Sequence, residues 1–408
     1  MISPHADKFY RQVLPNGLTL IFEKRNQPVV SIFATTKFGS GHETAKLKGL
    51  AHFIEHSIFK ATKTRTTEQI TSAIEKVGGD INAFTAEEFT SFYVKLRSKH
   101  FDLGMDILGD IMMNPLLAKK DLDMEKKAII EEIKMYHDNP RYYTIYKLRE
   151  LLFSQPFGSS PLGTEAIIKK LTRATLTKYH AINYNPSNIV ISIVGDTNVD
   201  RIWNLGKHDF LKKQVQKQIQ GQEVRPSFGK FDKIIEKRKS IDQAHLSLGF
   251  EMPPRSSKDR YAVEIFNTIL GVGMSCRLFQ EIREKRGLAY AIHSDVSQGK
   301  NFGYMEVYAG TEKKKMNEVK ELILKEIRNL KNLGQKDFEQ AKEELIGQHQ
   351  LDDEGSESVA RKLLTEELNG NAKEYYNYED RINELRIEDV KKLAEVKDYA
   401  FIALVPEK

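Results

Sequence analysis

The chain has 408 residues, 40% hydrophobic and 29% charged, with a formal net charge of +6; that length favours two domains, each with its own core. Acidic and basic residues are interspersed, with no long basic block and no nucleic-acid motif, which argues against a nucleic-acid partner. A single cysteine, Cys276, excludes an intrachain disulfide and a cysteine-based metal site, and the absence of any apolar run of about 18 residues or of a signal-type leader in Met1–Leu14 leads us to expect a cytoplasmic protein with no membrane partner.

The first elements read as antiparallel strands over residues 9–38. Leu14-Pro15-Asn16-Gly17 is a turn signal, and the β-rich run Leu18-Thr19-Leu20-Ile21-Phe22 follows it. Val29 to Phe38 reads as a longer strand closed by Gly39-Ser40-Gly41. Next comes Gly49-Leu50-Ala51-His52-Phe53-Ile54-Glu55-His56-Ser57-Ile58-Phe59, which reads as a buried helix because it is apolar almost all round. A second helix starts near Thr66, with Gln69 completing a capping box, and stops at Gly78-Gly79. Residues 81–96 read as a hairpin. Helices are expected at Asp102–Met113, Leu122–Tyr136, Tyr142–Phe153 and Leu171–Ile182, and a strand buried on both faces at 189–194.

Residues 212–231 are Gln-rich and carry Pro226 and Gly229, so we expect a linker there, between domains at 1–211 and 232–408. The second half repeats the order of the first: a strand at 241–250, a helix at 259–270, strands at 289–296 and 302–309, helices at 312–332 and 336–350, and a closing strand from Tyr399 to Val405. Hairpin-paired strands with helices gathered between them predict an α+β class with two similar domains, each a largely antiparallel sheet packed with helices.

On the buried helix, His52 and His56 lie four residues apart and share a face, with Glu55 beside them. Two imidazoles at that spacing suit one metal ion, and a neighbouring carboxylate suits a water bound to it. His-x-x-Glu-His is the order of the inverted zinc-protease motif. The competing reading is a pair of structural histidines hydrogen-bonded in the core. The second half has no such motif, so one metal site per chain is expected.

A catalytic zinc site takes three protein ligands, so one remains to be found. The helix Leu122–Tyr136 offers Glu125, Glu131 and Glu132. At about 100° per residue, with Glu132 at zero, Glu125 falls near +20°, Ala128 near −40°, Ile129 near +60° and Ile133 near +100°. Glu132 and Glu125 thus share the apolar face, whereas Glu131 falls with Lys127, Lys134 and Asp138. Glu132 is the expected third ligand. Glu125 is the expected carboxylate behind a ligand imidazole.

These residues carry a resemblance. His52-x-x-Glu55-His56 followed by Glu131-Glu132-Ile133 resembles the pitrilysin / mitochondrial processing peptidase family of inverted-motif zinc peptidases. So do Leu14-Pro15-Asn16-Gly17-Leu18, Gly78-Gly79-x-x-Asn82-Ala83-Phe84-Thr85, Gly273 to Phe279, and Arg283 to Tyr290. The resemblance spans essentially the whole chain. It implies two domains facing each other across a chamber, a homodimer or a heterodimer, and a peptide or unfolded-protein substrate. It implies that His52, His56 and Glu132 bind one zinc ion, that Glu55 is the general base and that Glu125 supports the ligands. Asn82, Ala83 and Phe84 would hold substrate by strand addition, and Arg283 and Tyr290 would reach its carbonyl. The alternative it leaves is a non-catalytic scaffold or partner subunit that keeps the fold.

Overall fold

The computed structural model describes residues 8–198, 202, 210 and 223–407. They form two compact units, each built on one sheet. In the first, the strands are β1 (Phe9–Val13), β2 (Thr19–Lys24), β3 (Val29–Thr36), β4 (Asp80–Thr85), β5 (Thr90–Arg97) and β6 (Ile189–Gly195). Their order is β1-β2-β6-β3-β5-β4. Every pairing is antiparallel except β2 with β6. The turn expected at Leu14–Gly17 joins β1 to β2, with the Leu14 N–H donating to Leu18 O at 2.8 Å.

Alternation along these strands sorts their side chains into two cores. Leu20, Phe22, Ile32, Ala34, Ile191 and Ile193 face one way. They pack beneath helices α1 (Leu50–Ile58), α2 (Thr67–Glu75), α3 (Phe101–Met113) and the first part of α4 (Lys119–Asp138). Ile21, Phe33, Val190 and Val194 face the other way, against Val359, Ala360, Leu363 and Leu364 of the helix Ser356–Asn369. Ser192 Oγ donates to Ala360 O at 2.8 Å within that second layer. A strand whose neighbours on both faces are apolar becomes apolar at every position, which is why β6 reads Ile-Val-Ile-Ser-Ile-Val-Gly.

The second unit has strands β7 (Lys233–Arg238), β8 (Ala244–Glu251), β9 (Ala289–Gly299), β10 (Phe302–Thr311) and β11 (Ala400–Pro406), ordered β7-β11-β8-β10-β9. Only β7 and β11 run parallel. Leu246, Leu248, Phe250, Met305 and Val307 form one core with the helices Arg260–Gly271 and Met316–Asn329. The opposite face is closed by α5 (Pro140–Leu152), whose Leu148 and Leu152 sit where a Cβ on Gly249 would be.

The compact units cross the contiguous halves at 1–211 and 232–408. The first comprises Met1–Ile133, Pro161–Val224 and Gln350–Asn377; the second comprises Lys134–Ser160, Arg225–His349 and Tyr378–Lys408. Each unit therefore completes its sheet with one helix from the other half of the sequence. A period pattern identifies such a helix but not the sheet it covers. Within the expected linker, 212–222 lie outside the described residues, and Phe228 forms an isolated bridge to Phe153. The strand β7, absent from the sequence reading, follows directly.

Candidate metal centre

Helix α1 begins on a constrained turn. Gly49, its N-cap, has φ of 91°, and a Cβ there would lie 2.5 Å from Leu162 O; only glycine fits both demands. Having no side-chain cap of its own, the helix takes one from Glu43. That carboxylate accepts from Gly49 N at 3.0 Å and from Ala51 N at 2.6 Å. Burial pushes Glu43 up to about 7, against the pull of Lys48 and these backbone donors. The Lys48 ammonium lies 3.8 Å away and donates to Ser40 O. Sequence reasoning missed Glu43, because the groups that donate to it at the head of α1 are backbone N–H groups and leave no side-chain pattern.

One turn in, His52 and His56 stand with ring centroids 4.5 Å apart. Helix α4 brings Glu132 to both: its Oε2 lies 3.6 Å from His52 Nε2 and 3.4 Å from His56 Nε2. The donor atoms of His52, His56 and Glu132 all lie within 4.8 Å of one another, the one such group of three among the described residues. Glu125, two turns earlier on α4, is 3.2 Å from His56 Nδ1 and receives Lys60 Nζ at 2.7 Å. Glu131 is exposed.

The local field is strongly uneven. Burial, with His56 beside it, pulls His52 down to about 4. Burial also opposes charge on His56, but Glu125, Glu132 and Glu55 override it and push that imidazole up to about 9. Burial likewise works to raise Glu125 and Glu132, yet both are held below the usual carboxylate range, chiefly by His56, with Lys60 adding its pull on Glu125. Glu55 is raised by burial, with Glu132 adding to it, while a hydrogen bond from Thr85 Oγ1 at 2.5 Å opposes the shift. Thr85 and Lys60 were also missed: Lys60 lies just past the motif and Thr85 far along the chain from it, and each acts only through a carboxylate of the site.

The donor set fits a tetrahedral zinc ion. Bonds of about 2.0–2.2 Å at tetrahedral angles place neighbouring donor atoms about 3.3–3.6 Å apart, and the two distances to Glu132 fall in that range. The structural-histidine reading fares worse. His52 Nδ1 is buried without a hydrogen-bond partner among the described residues, and a zinc ion on Nε2 would not change that; what favours the metal is the convergence of three donor atoms within 4.8 Å of one another.

Asn82, Ala83 and Phe84 lie on β4, which ends the first sheet and pairs only with β5 among the described strands. Asn82 Oδ1 accepts from Ala83 N at 2.8 Å. Phe84 is half-buried against Phe89 and Tyr93, with the Arg361 guanidinium 5.3 Å from its ring. Arg283 and Tyr290 belong to the second unit. Arg283 is on the π-helical turn Phe279–Glu284, 5.6 Å from the Tyr290 ring, and Tyr290 opens β9 with 74% of its surface exposed.

Comparison with known proteins matches residues 19–165 to a domain described as Insulinase (Peptidase family M16), and residues 170–345 to one described as Peptidase M16 inactive domain. A Bacillus subtilis protein named uncharacterized zinc protease YmxG is 31% identical over 406 residues, covering 97% of this chain and 98% of that one. A Mycobacterium leprae protein named uncharacterized zinc protease ML0855 is 32% identical over 394 residues, 94% of this chain and 88% of its own. Among solved structures, a protease from Helicobacter pylori superposes with a TM-score of 0.91 at 22% identity, over 98% of this chain and 99% of that one.

Proposed function

Because this chain belongs to peptidase family M16, we propose that it is a zinc metalloendopeptidase acting on short or unfolded peptides. The observation that carries this reading is the convergence of His52 Nε2, His56 Nε2 and Glu132 Oε2, with Glu55 on the same helix turn. His52, His56 and Glu132 would hold one zinc ion per chain. When bound, zinc acidifies a coordinated water and polarises a carbonyl.

The chain's own residues divide the remaining work. Glu125 accepts the Nδ1 proton of His56, which leaves Nε2 as the ligating nitrogen. Glu55 takes the proton of the attacking water and returns it to the leaving amine. Its buried setting raises its proton affinity, as a group that must both accept and release a proton needs. The free edge of β4 receives the substrate as an added strand, so Asn82 and Ala83 read backbone and accept varied sequences, with Phe84 beside them. By the same reading Arg283 and Tyr290 donate to the developing oxyanion, and the working form is a homodimer in the cytoplasm, with a heterodimer as the other arrangement.

Zinc content and hydrolysis of a mixed library of unfolded peptides, measured on wild type and Glu55→Gln, test the reading. The expected result is stoichiometric zinc in both, with hydrolysis falling at least about 10²-fold in the variant. Zinc without cleavage by either protein sends the reading to a partner subunit of a peptidase complex. Neither zinc nor cleavage leaves a scaffold.

A further inference from the structure

Glu55 and the edge strand β4 are joined by one side-chain bond. Thr85, the last residue of β4, donates from Oγ1 to Glu55 Oε2 at 2.5 Å. Among the described residues Oε1 of Glu55 has no hydrogen-bond partner. Thr85 is itself held in place. It pairs with Thr90 across the hairpin, their hydroxyl oxygens are 3.4 Å apart, and Thr90 Oγ1 donates to Phe38 O at 2.9 Å. Its β-branch restricts χ1 on the pleated surface.

We propose that Thr85 is a positioning residue for Glu55: it pins one carboxylate oxygen, so that the other is presented in a fixed direction as the proton acceptor. This rests on the peptidase reading. A carboxylate on a helix swings about its side-chain torsions, and proton transfer needs it within hydrogen-bond reach of one particular proton. A hydroxyl donor removes that swing without neutralising the charge, which a lysine or arginine at the same place would do. The support also comes from the strand offered to substrate. A peptide paired along β4 and the Thr85 donor that holds the base therefore rest on one strand, so seating the peptide sets its distance to Glu55.

The test compares Thr85→Val, which keeps the shape and loses the donor, with Thr85→Ser, which keeps the donor. Zinc content, kcat and KM are measured on one unfolded peptide. Separately, unfolding of the zinc-free protein gives a double-mutant cycle between Thr85→Val and Glu55→Ala, which removes the acceptor. We expect Thr85→Val to retain zinc and KM within about twofold while kcat falls about tenfold, Thr85→Ser to recover most of kcat, and the cycle to be non-additive. Unchanged kcat in Thr85→Val with an additive cycle overturns the proposal, as does loss of zinc in step with kcat, which would make Thr85 a support of the metal helix alone. Equal hydrolysis by wild type and Glu55→Gln removes the peptidase reading itself, whatever the Thr85 variants do.

Discussion

Helix α1 and the helix Arg260–Gly271 occupy the same place in the two units. Each lies between the strands that open its sheet and the hairpin that ends it, and each is buried. Both carry polar groups, but they settle them differently. In Arg260–Gly271, Glu264 accepts from the Tyr378 hydroxyl at 2.6 Å and Asn267 accepts from Ser294 Oγ at 2.6 Å. Both of these acceptors meet a neutral hydroxyl donor. At α1, the Nε2 atoms of its two imidazoles and Glu132 Oε2 of α4 turn toward one point. Polar groups that satisfy one another hold a core together. Titratable groups that converge on one point are prepared for something else.

The largest effect that breaks this comparison sits at the point of convergence. Glu132→Gln alters a proposed ligand and is expected to weaken zinc binding by more than about 10²-fold, whereas Glu131→Gln, one residue away and exposed, leaves it unchanged. Competition against a chromophoric chelator reads both. Equal losses would mean that the face assignment of α4 does not decide the ligand. Glu125→Gln is expected to cost about 10–100-fold in the same assay, because the imidazole loses its carboxylate support while all three proposed ligands remain.

Much of this was legible in the sequence. The spacing of His52, Glu55 and His56 is local to one helix, and the phase of α4 separates Glu125 and Glu132 from Glu131 without knowledge of the fold. The capping box at Thr66 and Gln69 is local too, and the helix Thr67–Glu75 starts on it. What was illegible depends on distant packing. Pro140–Leu152 reads as a helix, whereas Ser356–Asn369 is not placed at all in the sequence reading, and nothing in the residues of either says which sheet it covers. Thr85 acts through one hydrogen bond to a residue far along the chain and Glu43 through two from bare backbone, and no period or motif records such bonds.

A buried carboxylate in the second unit gives the comparison a pH axis. Glu306, on β10, is pushed up to about 7 by burial, with Ser247 as its donor at 3.1 Å. Its proton affinity is higher folded than unfolded, so the folded state holds the proton across the window between the ordinary carboxylate value and about 7. Its contribution to stability is complete below that window and is lost as pH rises through it. Glu306→Gln keeps an acceptor for Ser247 and does not ionise. The variant should therefore gain on wild type by about 2 kcal/mol between pH 5 and 7, read as a widening difference in Tm. Parallel Tm curves would show that Glu306 ionises alike in both states.

The smallest expected effect tests the comparison most directly. Glu264→Gln converts a hydroxyl-to-carboxylate bond into a neutral one in the helix Arg260–Gly271. The acceptor oxygen remains, so the helix keeps its partner Tyr378 and loses only the charge-assisted part of the bond, about 1 kcal/mol. Denaturant unfolding should show that loss, with zinc content and peptide hydrolysis as in wild type. A Glu264→Gln protein of normal stability that hydrolyses peptide poorly would mean that the second helix is not closed on itself. Its carboxylate would then serve the reaction, and the contrast between a satisfied helix and a converging one would no longer separate support from site.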